Sequence, residues 1–77
     1  MDTPARREGT VLEWKPRLDL GRILTTDDRI VGMTRAGLDA PLQDFAVGMR
    51  VTFVLKRSVW GWVAREVRPV ARPPAMP

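Results

Sequence analysis

Cysteine and histidine are both absent from the 77 residues of this chain. Their absence removes disulfides, the usual structural zinc sites and any thiol or imidazole nucleophile or base, and it leaves carboxylates as the only side-chain metal ligands of note. A cysteine-free sequence also fits a reduced intracellular compartment. No apolar run approaches the roughly 20 residues of a membrane span. Residues 1–8 (MDTPARRE) are polar and charged, without the apolar stretch of a secretion signal. The expectation is a cytoplasmic protein with no membrane association. Catalytic signatures are equally scarce. Ser58 is the only serine and sits in no strand-to-helix elbow, and no glycine-rich loop leads into a helix. Asp27-Asp28 is a pair of carboxylates, but in a short turn it reads as turn chemistry. No enzymatic activity, metal or cofactor is expected.

What is present is one small domain's worth of chain. A protein this short buries only about 60% of the surface its unfolded form exposes, so its core is thin and fully used. The net charge is +4, and its distribution is uneven. Residues 1–55 balance eight basic against eight acidic side chains. From Lys56 onward, Lys56, Arg57, Arg65, Arg68 and Arg72 face Glu66 alone, so the whole excess lies in the last 22 residues. A basic segment attracts phosphate through counterion release; it is also a solubilising surface.

Periodicity gives the organisation. Residues 1–6 read as a flexible arm, 7–70 as the folded domain and 71–77 as a proline-rich disordered tail. Gly9–Trp14 is β-branched and aromatic, which suits a strand. Pro16 forces a turn over Lys15–Asp19. Leu20–Thr25 alternates with Leu20, Arg22 and Leu24 on one face, and Asp27-Asp28 turns the chain into a third strand over Arg29–Thr34. Ala36–Gly48 carries Gly37, Pro41 and Gly48 and reads as a long connection with one helical turn. Met49–Lys56 sets Val51, Phe53 and Leu55 on one face. After a hairpin at Arg57–Gly61, the fifth strand, Trp62–Val67, sets Val63, Arg65 and Val67 against Trp62, Ala64 and Glu66. Five short strands with a long third connection fit an all-β, five-stranded Greek-key barrel of the OB type, with an SH3-like barrel as the alternative.

Gly9-Thr10-Val11, Asp19-Leu20-Gly21-Arg22-Ile23, Asp28–Met33, Gly48-Met49-Arg50-Val51-Thr52-Phe53 and Gly61–Val67 together resemble the cold-shock domain family over about residues 7–70. That family binds single-stranded nucleic acid by stacking bases on aromatic rings of its second and third strands. The resemblance lies in the framework and departs at that platform. Leu20, Arg22, Ile30, Gly32 and Met33 stand at the ring positions, and Glu13 replaces a tryptophan of the first strand. Losing three stacks at about 1 kcal/mol each costs over a hundredfold in affinity.

Two functions remain in view. In the first, the domain binds single-stranded DNA or RNA weakly and with little sequence preference. Trp14 is then the remaining platform aromatic, Lys15, Arg17 and Arg22 hold backbone phosphate, and Lys56, Arg57 and Trp60 form a basic, aromatic hairpin. Solvated surface roles explain the same cations, and Trp62 reads as core closing the barrel end. In the second, the fold is repurposed for protein contact, with outward-facing Leu20, Ile30, Met33 and Trp60 as anchors.

Overall fold

Each alternating segment becomes a strand. The computed structural model describes residues 5–59 and 61–70, with β1 at Arg7–Lys15, β2 at Leu20–Thr25, β3 at Ile30–Met33, β4 at Arg50–Ser58 and β5 at Gly61–Pro69. The turn expected after Lys15 is a single 3-10 turn, Pro16–Leu18, opened by its proline. The long connection holds two such turns, Arg35–Gly37 and Leu42–Asp44, where one was expected. Residues 1–4, Trp60 and 71–77 lie outside the described residues, and with them most of the expected arm and all of the expected tail. Of the arm, Arg6 is tied to the barrel, donating to Thr52 Oγ1 at 3.0 Å and to the Glu66 carbonyl at 2.6 Å.

The strands close into a barrel in the order β1-β2-β3-β5-β4, with β4 returning to pair with β1. All neighbours are antiparallel except β3 and β5. β3 does not pair with β4, because the long connection carries the chain across to β1 first. This is the Greek-key order of an OB barrel; an SH3-like barrel keeps β2, β3 and β4 as consecutive neighbours. Closure removes the free sheet edges that a five-stranded open sheet would expose. Phe53, Ile23, Met33, Val11, Val51 and Val67 fill the interior, and Phe45 adds to it from the long connection. Leu38 bridges to Val67, at the far end of β5 from Trp62. Among the described residues no helix is long and apolar enough to cross a membrane.

Two bulges break the strict alternation. In β1, Val11 pairs with Ile23 and Glu13 with Arg22, so Leu12 is an extra residue. In β5, Thr52 and Val54 of β4 face Arg68 and Arg65, so β5 carries the extra residue there, and Glu66 takes a left-handed φ of 51°. An inserted residue flips everything after it to the opposite face. The expected grouping of Val63, Arg65 and Val67 is therefore overturned. Ala64 and Val67, three apart, face the core together, and Arg65 stays exposed.

Candidate functional site

The outer face of β1, β2 and β3 follows directly from these phases. Without the bulge, Glu13 would share the inward phase of Gly9 and Val11; with it, Glu13 turns out and Trp14 turns in. The Trp14 ring packs against the core, and a Cβ on Gly21 would lie 2.6 Å from its Cε3, so only glycine allows this approach. Its indole Nε1 is buried without a hydrogen-bond partner among the described residues. Trp14, expected as the remaining platform aromatic, is thus a partly buried ring turned towards the core and away from the outer face. Glu13 stands outside and binds Arg22 at 3.1 Å and Lys15 at 3.5 Å, cancelling two of the cations expected to hold phosphate. Arg17 is exposed in the 3-10 turn, away from any described carboxylate partner.

The expected protein-contact anchors divide. Met33 is 1% exposed and belongs to the core, contrary to expectation, because β3 begins with Ile30 facing out and so turns Val31 and Met33 in. Leu20 and Ile30 are exposed at 43% and 57%. They do not meet, however. On β2 the outward residues run Leu20, Arg22, Leu24, and Ile30 pairs with Leu24, so the Arg22–Glu13 ion pair lies between the two apolar spots. Trp60 lies outside the described residues.

The basic hairpin is the part that gathers. β4 pairs with β1 only through Phe53, and β5 joins β3 only from Val63. Residues 54–58 of β4 and the first two residues of β5 have no other strand beside them, so the hairpin runs past the barrel wall. Cross-strand register sets Arg57 opposite Trp62, Lys56 opposite Val63 and Val54 opposite Arg65. Lys56 and Arg65 are diagonal neighbours on one face. Arg57 and Trp62 are partners on the other, with the guanidinium 5.8 Å over the ring centroid.

Charge pairing then isolates this arm. Arg6, Lys15, Arg22, Arg29, Arg35, Arg50 and Arg68 each have a carboxylate within ion-pair distance. Among the described residues Arg7, Arg17, Lys56, Arg57 and Arg65 have none. Three of these five lie on the hairpin, and Trp62 beside them keeps 48% of its surface exposed. Trp62, read from the sequence as a core residue, is a half-open ring; its position at the start of a strand that outruns its neighbour explains this.

At the β2–β3 turn, the Thr25 hydroxyl donates to an Asp27 carboxylate oxygen and accepts the Arg29 N–H at 3.0 Å. The hydrogen bond from Thr25, with the charges of Arg29 and Arg7 adding to it, holds the Asp27 carboxyl below its ordinary value. This accounts for Asp27 as turn chemistry. Among the described residues no group of three or more acidic side chains is placed to hold a metal ion. No protein-family model matches the chain, and no curated protein is significantly similar to it.

Proposed function

We propose that this barrel binds single-stranded DNA or RNA, weakly and with little sequence preference, through the β4–β5 hairpin. The observation that carries the reading is the set of uncompensated cations. Lys56 and Arg65 on one face of a protruding arm and Arg57 on the other have no carboxylate partner among the described residues, while most cations elsewhere are tied to carboxylates. A flexible polyanion can wrap the arm and meet three charges without having to displace a carboxylate, and each phosphate bound releases counterions. Trp62 adds a π-face that any base can use, which favours tolerance of sequence. The resemblance to cold-shock domains supports the ligand class, but the contact surface proposed here differs from that family's aromatic face. In this reading the protein is a binding module and not an enzyme, and its cysteine-free sequence suits the cytoplasm.

Protein contact through the β2–β3 face is the weaker reading, because Leu20 and Ile30 are separated by an ion pair and Met33 is internal. The test is a titration with oligothymidine at low salt, followed by tryptophan fluorescence. Quenching at micromolar protein that weakens steeply as salt rises is the expected result. No quenching, with self-association instead, would overturn the proposal.

A further inference from the structure

Among the described residues, one end of the barrel is left unplugged. At that end each strand contributes one residue in the inward phase: Arg7 from β1, Thr25 from β2, Val31 from β3, Leu55 from β4 and Trp62 from β5. They line a half-open groove of about 640 Å³, within the roughly 300–1,000 Å³ of small-molecule sites, and barrel mouths are a recurrent place for such sites. Its walls have two characters. Val31, Leu55 and the exposed part of the Trp62 ring are apolar, and the ring supplies a flat face. Arg7 has no described carboxylate at ion-pair distance and supplies a cation; the acid that lines the groove, Asp27, is hydrogen-bonded by Thr25 and paired with Arg29 at 3.4 Å, and feels Arg7 only at longer range.

We infer that this mouth takes one nucleotide of the bound strand, its base against Trp62 and its phosphate on Arg7. The inference rests on the proposed single-strand binding and adds to it a specific seat. The lining selects the occupant: the flat indole face of Trp62 beside a guanidinium with no carboxylate at ion-pair distance among the described residues matches a base joined to a phosphate. The hairpin is continuous with the mouth, because Trp62 lines the groove and carries Arg57 over its ring, so a strand tracking the hairpin cations is delivered to the groove.

The experiment separates the seat from the strand. Two 12-nucleotide probes are used, one wholly abasic and one abasic except for a central thymine, and binding is read by fluorescence anisotropy at low salt. Both are expected to bind wild-type protein through their phosphates. The single thymine is expected to tighten binding roughly 5- to 150-fold, the range for one stacked base. Trp62→Leu, which keeps apolar bulk without a π-face, is expected to abolish that increment, so that the two probes bind the variant with equal affinity. Arg7→Gln, which leaves the ring intact, is expected to weaken the thymine-bearing probe more than the abasic one and covers the case in which Trp62→Leu does not fold. Equal affinity of the two probes for wild type would overturn the seat and leave strand binding standing. Failure of both probes to bind would overturn the two together.

Discussion

Neutralising the hairpin should remove most of the binding while leaving the fold intact. The perturbation is the triple variant Lys56→Gln, Arg57→Gln and Arg65→Gln. All three side chains are exposed and have no carboxylate partner among the described residues, so no ion pair is broken and no buried group is orphaned. The substitutions do remove the guanidinium of Arg57 from the face of the Trp62 ring, an interaction worth about 0.5–1 kcal/mol at an exposed site. For a single strand, each phosphate contact contributes about 0.7 to the slope of log affinity against log salt. Three contacts therefore carry a slope of about 2, and at 0.1 M salt removing them weakens binding roughly 100-fold. The assay is an oligothymidine titration at several salt concentrations, with a thermal melt of each protein as control. An unchanged slope and affinity, in a variant that melts like wild type, would refute the assignment of phosphate contacts to this arm.

Other expectations rest on the same geometry. Glu13→Gln releases Arg22 and Lys15, and the salt slope is expected to steepen by up to about 1.4; an unchanged slope would contradict the ion pair as the reason that face is silent. Gly21→Ala drives a methyl to 2.6 Å from the Trp14 ring and 3.1 Å from the Glu13 carbonyl oxygen, and urea denaturation is expected to show a loss of about 1–3 kcal/mol. A midpoint equal to wild type would mean that the ring does not lie there. Thr25→Val removes the donor that depresses Asp27, so the Asp27 carboxyl should titrate closer to its ordinary value when followed by NMR. Since the depressed value favours the folded protein only above the ordinary carboxyl range, wild type should lose this contribution as pH falls through the folded value, and the variant should show less of that acid sensitivity.

Much of this barrel is legible in the sequence because alternation is a direct consequence of strand geometry. Leu20–Thr25 is one strand with the bounds expected, and Val51 and Phe53 face the core as their spacing requires. The departures cluster where alternation changes phase. In β1, Val11-Leu12 sets two apolar residues side by side and the inward phase resumes at Trp14; that local break is the one sign of a bulge, and overlooking it exchanges the faces of Glu13 and Trp14. In β5, Ala64 and Val67 are three apart around Arg65-Glu66, and an uninterrupted strand would have grouped Arg65 with the apolar Val63 and Val67. Met33 differs from expectation for a simpler reason: whether β3 starts facing in or out depends on its partner strands, which a four-residue segment does not encode.

The candidate site is half visible in the sequence. Lys56, Arg57 and the downstream charge excess stand out, and of these the protruding hairpin carries Lys56, Arg57 and Arg65. What the sequence does not reveal is which cations are already spoken for. Arg22 and Lys15 look as available as Lys56 until β1 and β2 are paired and Glu13 is found between them. Arg68 looks like part of the basic segment until the long connection brings Asp39 to 2.6 Å. Ion pairing across strands is a property of register, and register is not fixed by composition.

The central claim, that the hairpin cations hold the strand, is tested most directly by mapping backbone amide shifts in NMR spectra as oligothymidine is added. Shifts concentrated at Val54–Ser58 and Gly61–Arg65, with the outer face of β2 and β3 nearly unmoved, are the expected result. Shifts centred on Leu20, Arg22 and Gly32, or none anywhere at saturating oligonucleotide, would contradict it.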